Sequence, residues 1–291
     1  MKLHNGIADI FVPDGTAMPE ALARTTHLCI GAHQDDQEFI ALHGILECYD
    51  SPDAWFSGVV LTDGRGSPRS GPYAACTDEH MVQTRVREQR EAARLGEYAC
   101  QAQLLYTSAQ VKEGAAAQVV EDLVSLLNVA RPDVVYLHNP ADKHDTHVAS
   151  MLRGIDALRA LPADARPARV YGCECWRSLD WLCDDAKQVL DVDRHHELAS
   201  ALRCVFASQI GGGKRYDLAI AGRYVTNATM LDSHATDTSG AQAFAMDLSP
   251  LVHDPGLSID EYVLGFVDGF RADVKKRLER YIRYPQEEKT P

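Results

Sequence analysis

The feature that most constrains the fold of this 291-residue chain is an alternation of strand-like and helix-like segments. Short apolar runs bounded by polar residues predict β-strands, and each is followed by a longer segment with apolar residues at helical spacing. The predicted strands are residues 26–33, 55–62, 101–106 and 133–138, and the predicted helices are the stretch ending near Tyr49 and residues 81–98, 115–130 and 146–161. Strands alternating with helices imply right-handed crossovers and a mostly parallel sheet that is covered on both faces. The alternation therefore predicts an α/β fold, a Rossmann-like three-layer αβα sandwich.

After the fourth predicted helix the alternation weakens. A further strand is predicted at residues 168–174 and a helix at residues 194–206, whereas no pattern assigns residues 215–256. We therefore expect a domain of residues 1–225 and a C-terminal extension of residues 226–291 that packs on the same domain.

The last predicted element of this extension is a long helix. Apolar residues recur at helical spacing from Ile259 to Ile282, and Ser258 and Glu261 form a capping-box pair at its start. The broad apolar face of this helix predicts packing on its own domain. A subunit interface, and hence a homo-oligomer, is the alternative.

The composition excludes several classes of partner. The chain has 29 basic and 42 acidic residues and a net charge of -13, which would repel nucleic acid and anionic membrane surfaces. No run approaches the roughly 20 apolar residues of a membrane span, and Asp9, Pro13, Asp14 and Glu20 stand where a signal peptide needs an apolar core. Eight cysteines without a C-x-x-C pair are typical of reduced thiols. We therefore expect a cytoplasmic protein with no nucleic-acid or membrane partner.

Two clusters of histidine and carboxylate residues follow predicted strands. His33-Gln34-Asp35-Asp36 comes directly after the first strand, and Asp142-Lys143-His144-Asp145-Thr146-His147 comes shortly after the strand that ends at His138. In open α/β sheets, ligands bind outside the carboxyl ends of the strands, where helix N-termini point inward. Both clusters are therefore expected at the edge of the sheet where function is concentrated.

The residue types in these clusters suit a catalytic metal. His33 and Asp36 are spaced so that both side chains reach one point, as His144 and His147 are on a first helical turn. A His-His-carboxylate set holds zinc and leaves a position for water, whose pKa falls to roughly 7. Asp35 then remains free to act as a base. The alternative is that the carboxylates only cap helices and the histidines are solvated, but two such clusters on one sheet favour a metal.

These residues also carry a resemblance to a known family. The run Gly31-Ala32-His33-Gln34-Asp35-Asp36-Gln37-Glu38 resembles the signature of the LmbE-like deacetylases, the family of the N-acetylglucosaminyl-phosphatidylinositol de-N-acetylases (PIG-L). Further matches follow in the family's order, namely Leu61-Thr62-Asp63-Gly64, Arg85-x-x-Glu88 with Ala92-Ala93-x-Leu95-Gly96, and Asp142-x-His144-x-x-His147. The resemblance is firm over about residues 26–150 and absent beyond about residue 225.

The resemblance implies a role for each matching residue. His33, Asp36 and His147 would hold one divalent zinc ion per chain, and Asp35 would be the general base that acts on water at the metal. His144 would stabilise the oxyanion or protonate the leaving amine, and Arg85 would reach the substrate. These roles suit amide hydrolysis, which needs a hydroxide at neutral pH, a Lewis acid on the carbonyl and a proton for the departing nitrogen.

The chain departs from the family pattern at three positions near these motifs. Gln34 replaces the usual proline, which we expect to affect only the stiffness of the loop, and His43 stands where the family usually has glycine. Thr146 replaces an aspartate that often precedes the third metal ligand, so the pH dependence could differ, although Asp145 could partly substitute.

We therefore predict a zinc-dependent hydrolase that removes the N-acetyl group from an N-acetylglucosamine-type sugar in a small soluble glycoside or conjugate. The polar loop of residues 63–80 is predicted to bind the substrate through Asp63 and Arg65. One alternative is an amidase that cleaves a larger acyl group from an amino-sugar thiol conjugate. Others are a non-catalytic Rossmann-like binding protein, which would need a nucleotide motif that the first strand lacks, and a catalytically inactive scaffold built around the C-terminal helix.

Overall fold

The computed structural model describes residues 2–114 and 116–282, and its strands form an eight-stranded sheet. The strands are β1 (Asp9–Phe11), β2 (His27–Gly31), β3 (Phe56–Thr62), β4 (Cys100–Tyr106), β5 (Val134–His138), β6 (Arg169–Cys173), β7 (Lys187–Asp191) and β8 (Gln242–Asp247). Their order across the sheet is β1-β4-β3-β2-β5-β6-β8-β7. Neighbours from β4 to β6 are parallel, whereas β1 pairs antiparallel with β4, and β8 pairs antiparallel with β6 and β7.

Helices cover both faces of this sheet. The α-helices are α1 (Glu20–Ala23), α2 (Asp36–Ile40), α3 (Leu42–Cys48), α4 (Asp78–Leu95), α5 (Ala116–Ala130), α6 (Asp145–Ala160), α7 (His196–Cys204), α8 (Ala207–Gly211), α9 (Tyr216–Met230), α10 (Ser249–His253) and α11 (Ile259–Tyr281). One apolar cluster joins the sheet to α5, α6 and α10, and a second joins it to α3, α7 and α9. Because β3 is buried along its whole length, it consists of small, apolar and β-branched residues rather than an alternating pattern.

The structure confirms the α/β class, the mostly parallel sheet and the long C-terminal helix. The helix predicted after the first strand is divided into α2 and α3 at Ala41, where the backbone leaves the helical region (φ -119°, ψ 18°). The structure adds β1 and β7, and it places α9, β8 and α10 in the segment that no sequence pattern assigns. Residue 115, at the start of a predicted helix, and residues 283–291 of the predicted C-terminal extension lie outside the described residues.

The C-terminal segment contributes both to the sheet and to the surface. Its strand β8 lies between β6 and β7, and Ser258 is the N-cap residue of α11. The Ser258 hydroxyl accepts a hydrogen bond from the Glu261 N–H (3.5 Å). Only the first two turns of α11 contact the core, through Ile259, Tyr262, Val263 and Phe266.

The division of the chain near residue 225 stays a prediction. Among the helices in the described ranges, none is both long and apolar enough to cross a membrane.

Candidate active site

The candidate site lies where the direction of chain connections reverses across the sheet. From β2 the chain proceeds to β3 and β4 on one side, and it then crosses to β5 and β6 on the other side. A crevice forms between β2 and β5 at such a switch point, beyond the carboxyl ends of the strands. The loop after β2 carries His33 and Asp35 and leads into α2 at Asp36, and the loop after β5 leads to His144 and His147 at the start of α6. The two predicted clusters therefore meet.

The three predicted metal ligands converge on one point. His33 Nδ1 lies 3.2 Å from Asp36 Oδ2 and 3.2 Å from His147 Nε2, and His147 Nε2 lies 3.4 Å from Asp36 Oδ1. Two ligand atoms that are each about 2.0–2.1 Å from a tetrahedral zinc ion are about 3.3–3.4 Å apart. The separations in this chain thus fit a divalent cation held by His33, Asp36 and His147.

A deeper group of residues also places ligand atoms near one another. Asp36, His138, His147 and Cys175 are all buried, and their ligand atoms lie within 4.8 Å of one another. However, His138 Nε2 accepts a hydrogen bond from the Ala32 N–H (3.0 Å), so the lone pair that would bind a metal is already used. Burial also raises the pKa of the Cys175 thiol well above its usual value, which disfavours the thiolate that metals bind. The geometry therefore favours the group that contains His33.

Asp142 orients the His147 ring from behind. His147 Nδ1 faces Asp142 Oδ2 at 3.5 Å, which leaves Nε2 directed toward His33 and Asp36. Burial alone would lower the pKa of His147, but the Asp36 and Asp142 carboxylates raise it above its ordinary value. A carboxylate behind a ligating histidine is a common arrangement in metal sites, because it fixes the ring and makes it more basic. Asp145, which sequence reasoning offered as a partner for the site histidines, is exposed.

Asp36 is ionised although it is buried. Burial alone would raise its pKa, but the nearby His147 and His138 rings and a hydrogen bond from His33 hold the pKa of this carboxyl well below its usual range. Asp36 Oδ2 also accepts a hydrogen bond from the His33 N–H (2.6 Å), which ties the loop back onto the start of α2. A carboxylate kept anionic inside the site is what a cation requires.

Asp35 is held in an unusual backbone conformation beside these ligands. Its φ is 90°, a region that residues other than glycine rarely adopt, and its N–H donates to Gln89 Oε1 (3.1 Å). Burial raises the pKa of Asp35 to about 8, although the Arg85 guanidinium opposes the shift. A carboxyl with a pKa near neutrality suits proton transfer.

Arg85 is fully buried in the wall of the site. Its guanidinium pairs with Asp35 Oδ2 (3.1 Å) and Glu88 Oε2 (3.1 Å), and it donates to the backbone oxygen of Gln34. Ser208 completes this network, because its hydroxyl donates to Glu88 Oε2 (2.6 Å). The structure thus places Arg85 against Asp35 at the edge of the cavity, where it fixes the carboxylate.

His144 is the N-cap residue of α6. Its Nδ1 accepts a hydrogen bond from the Thr146 N–H (3.3 Å), so the proton of the neutral ring lies on Nε2. Burial, together with the nearby His147 and His33, lowers the pKa of His144 to about 4. Its ring meets that of His33 edge-on, with centroids 4.9 Å apart. His144 is therefore a neutral hydrogen-bond donor next to the three converging ligands.

A cavity of about 290 Å³ opens above these groups. Its floor contains His33, Asp35, Asp36, His144 and His147, and Arg85 lies in its wall. Gly64, Gly66, Ser67 and Pro68 of the predicted substrate loop form one side. Asp63 and Arg65 do not line the cavity: the Asp63 carboxylate instead binds the Arg65 Nε (2.6 Å) within the loop. Substrate binding by Asp63 and Arg65 stays a prediction.

The opposite wall contains residues that the sequence patterns do not identify. Phe39, Trp176, Tyr216 and Ile220 supply an apolar and aromatic surface, and Arg223 adds a positive charge. Trp176 meets the Tyr216 ring edge-on at 5.9 Å between centroids. These residues come from α2, α9 and the loop after β6, and the last two segments have no strong periodicity. An isolated tryptophan soon after a strand end is the only sequence signal that could have identified this wall.

The fold and the converging His-His-Asp group define an α/β protein with a candidate metal centre at its switch point. Residues 28–158 match the family model described as GlcNAc-PI de-N-acetylase (PIG-L). The resemblance of the sequence to the PIG-L or LmbE-like deacetylases is thus confirmed over this segment. No curated protein matches the sequence significantly.

Solved structures share the fold at low sequence identity. The N,N'-diacetylchitobiose deacetylase from Pyrococcus horikoshii matches with a TM-score of 0.61 and 16% identity, covering 79% of this chain and 86% of that chain. The 4-carboxy-2-hydroxymuconate hydratase from Pseudomonas putida KT2440 matches with a TM-score of 0.58 and 17% identity, covering 77% and 96%. The A40926 pseudoaglycone deacetylase matches with a TM-score of 0.53 and 15% identity, covering 77% and 97%. Since a hydratase appears among them, this likeness shows the fold and not the reaction.

Proposed function

We propose that this protein is a zinc-dependent hydrolase that removes the acetyl group from the amine of an N-acetylglucosamine-type sugar. The observation that carries the proposal is the convergence of His33, Asp36 and His147, with separations of 3.2–3.4 Å, on the floor of a cavity that also contains Asp35. A bound divalent cation would supply Lewis acidity, which polarises an amide carbonyl and makes water easier to deprotonate.

The chain's own residues supply the proton transfers. Asp35, fixed by Arg85 and Gln89, accepts a proton from the attacking water as the new carbon–oxygen bond forms. His144 donates a hydrogen bond from its Nε2–H to the amide oxygen as negative charge develops there, and it keeps its proton. When the carbon–nitrogen bond breaks, the Asp35 carboxyl returns the proton to the departing nitrogen. The products are the free amine and acetic acid, which ionises to acetate in solution.

The cavity supports a small substrate with apolar and hydroxylated faces. Its volume of about 290 Å³ is just below the range of about 300–1,000 Å³ that is typical of ligand pockets, which suits a small substrate. Trp176 and Tyr216 offer aromatic surface against which the C–H groups of a pyranose ring can pack. Two proteins of similar fold are named as deacetylases, one of N,N'-diacetylchitobiose and one of the A40926 pseudoaglycone. An acetylated amino sugar is therefore the substrate class that we propose, in a protein that we expect to be cytoplasmic.

Metal analysis and acetate release from a panel of N-acetylhexosamines and longer N-acyl analogues test this function. We expect about one zinc per chain, hydrolysis that a chelator abolishes and zinc restores, and faster release of acetyl than of longer acyl groups. His147→Ala should lose both metal and activity, whereas His196→Ala, on an exposed helix start, should lose neither. Purified protein that holds no metal and shows no metal-stimulated hydrolysis would contradict the proposal. Faster release of longer acyl groups than of acetyl would instead favour the alternative function, an amidase.

A further inference from the structure

The aromatic wall of the cavity contains a cation that no carboxylate contacts. Arg223 lines this wall together with Trp176, and no carboxylate oxygen of the described residues lies within 4.0 Å of its guanidinium nitrogens. The other arginine of the lining, Arg85, is by contrast paired with Asp35 and Glu88. A guanidinium without an acidic partner at the edge of a cavity is suited to bind an anionic group of a ligand.

The backbone, and not a charge, holds the Arg223 side chain in place. Its Nη1 donates a hydrogen bond to the backbone oxygen of Cys175, which also lines the cavity. The other N–H groups of this half-buried side chain have no hydrogen-bond partner within residues 2–114 and 116–282. The loop that carries Cys175 is fixed to the floor of the cavity, because the Trp176 N–H donates to Asp142 Oδ2 (3.2 Å), the carboxylate behind His147. The positive charge is therefore preorganised relative to the floor.

Glu174 does not neutralise Arg223. Burial raises the pKa of Glu174, and a hydrogen bond from Asn227 and the Arg223 charge oppose this shift. The oxygens of Glu174 already accept hydrogen bonds from the Asn227 side chain, the Phe244 N–H (3.3 Å) and the Leu179 N–H (3.4 Å). Glu174 thus belongs to an interior network, and it leaves the unpartnered N–H groups of Arg223 to a ligand.

A second cation stands beside the same wall. Lys214 follows the turn of residues 211–213, and its ammonium lies 5.1 Å from the centroid of the Trp176 ring. In the part of the chain that the structure describes, no carboxylate oxygen lies within 4.0 Å of this ammonium either. The next residue, Arg215, is exposed and paired with Asp217 (2.8 Å). Two cations without acidic partners at one wall give it a local positive potential, although the chain has a net charge of -13.

We propose that the substrate carries a negatively charged oxyanion group, which Arg223 binds from the cavity wall while the acetylated amine lies over the floor. The inference rests on the proposed function and narrows its substrate class to anionic N-acetylhexosamines. The guanidinium fork matches two oxygens of a phosphate or a carboxylate, and both groups share this chemistry. Lys214 adds attraction from the rim of the wall without a direct contact.

Hydrolysis of matched sugars tests the substrate class. The anionic probes are N-acetylglucosamine 1-phosphate, N-acetylglucosamine 6-phosphate and N-acetylmuramic acid, and the neutral probe is methyl N-acetylglucosaminide. We expect kcat/KM for at least one anionic sugar to exceed that for the neutral sugar by about 10-fold or more, and to fall toward it as the ionic strength rises. Equal or lower values for all three anionic sugars would overturn the inference and leave the proposed function intact. Hydrolysis of none of the four would contradict both.

Charge variants assign the preference to Arg223. Arg223→Gln should lower the ratio of kcat/KM for the preferred anionic sugar to that for the neutral sugar about 10- to 100-fold, and Arg223→Lys should recover part of the ratio. Because both sugars are assayed on the same variant, the ratio does not depend on the fraction of folded protein. Arg271→Gln removes the same charge from an exposed position on α11 and should not change the ratio. An unchanged ratio in Arg223→Gln, or an equal fall in Arg271→Gln, would overturn the inference.

Equilibrium binding separates recognition from hydrolysis. In the Asp35→Asn background, titration calorimetry should show that the preferred anionic sugar binds at least about 10-fold more tightly than the neutral sugar. Arg223→Gln in the same background should remove this difference. Tight binding of the anionic sugar through Arg223 without hydrolysis by the wild-type protein would support the anion site and contradict the proposed function. Equal affinities for the anionic and neutral sugars would overturn the inference.

Discussion

Two adjacent carboxylates in this site have different chemistry because their neighbours differ. Asp36 faces the His147 and His138 rings and is held ionised, whereas Asp35 faces Arg85 in a setting where burial raises its pKa to about 8. The backbone separates them further, since Asp35 has a φ of 90° and Asp36 begins α2. Two adjacent residues are thus suited to different roles: Asp36 is a candidate metal ligand and Asp35 is a candidate general base.

The first prediction follows from this difference. Asp35→Asn should keep the metal and lower kcat about 100- to 10,000-fold, because the amide cannot accept a proton. Asp36→Asn should lose the metal, and with it the activity. Zinc content of the dialysed variants, measured beside kcat, checks both results. If Asp35→Asn lost its metal as completely as Asp36→Asn, Asp35 would be a ligand and the assignment of roles would be wrong.

Gln89 is a positioning residue for Asp35. It accepts the Asp35 N–H and donates to Glu38 Oε1 (2.8 Å), which also accepts the Tyr98 hydroxyl (2.7 Å). Gln89→Leu leaves the Asp35 N–H and one Glu38 hydrogen bond unmade, at a cost of about 1–3 kcal/mol for each buried group. We expect kcat to fall about 10- to 100-fold with KM and metal content nearly unchanged. Gln242→Leu, a buried glutamine in β8, is the matched control, and an equal fall in its kcat would indicate a general packing effect.

At the scale of elements, the loop after β3 depends on one glycine. Gly64 has a φ of +72°, and a Cβ there would lie 2.4 Å from Gln34 Oε1 and 3.0 Å from Arg85 Cγ. Gly64→Ala should therefore destabilise the fold by about 1–3 kcal/mol and reduce activity by displacing Arg85. Gly66 lines the same cavity, but a Cβ there meets no atom within 4 Å, so Gly66→Ala should change neither. Urea unfolding and kcat of the two variants measure the contrast, and equal effects would contradict it.

Helix α3 adds a pH dependence to stability through His43. Its Nδ1 lies 2.8 Å from the Tyr136 hydroxyl, and burial lowers its pKa from 6.5 to about 4 despite the nearby Glu47. The neighbouring charges are His27 and Arg194, which also lower the pKa, and Asp191, which raises it.

Because the unfolded state binds this proton more tightly, stability is full above pH 6.5 and falls as the pH drops toward 4, by about 3 kcal/mol in total. His43→Gln should make the free energy of unfolding less dependent on pH between 6.5 and 4. Urea titrations at several pH values measure the slope, and an unchanged slope would exclude His43 as its source.

The elements also show how far sequence reasoning reaches. The central parallel strands were predictable because each is a buried apolar run followed by a helix. The two clusters of candidate ligands were predictable because both follow such strands. Strand β1 has only three residues, and β7 and β8 pair antiparallel with distant partners, so no local pattern reveals them. The wall formed by Trp176, Tyr216 and Arg223 depends on the packing of segments far apart in the chain, and tertiary contacts alone bring these side chains to the cavity.

At the scale of the whole molecule, the core is independent of the candidate metal centre. Apolar clusters on both faces of the sheet are extensive, and a chain of this length buries about three quarters of its unfolded surface. Removal of the metal should therefore leave the secondary structure intact and lower only the melting temperature. A ligand at about 1,000 times its dissociation constant stabilises the folded state by about 4 kcal/mol, which corresponds to a shift of roughly 10 °C for a protein of this size.

The dependence of Tm on zinc therefore reports the centre without any assumption about the substrate. Wild-type protein and Asp35→Asn should both gain stability as zinc is added to chelated samples, whereas Asp36→Asn and His147→Ala should gain none. Circular dichroism of the chelated protein should show the same helix content as the untreated protein. Zinc raises Tm only by binding the native state. If zinc still raised the Tm of both Asp36→Asn and His147→Ala, the ion would bind elsewhere and the proposed function would lose its basis. Unfolding by the chelator alone would instead show that the ion is part of the core.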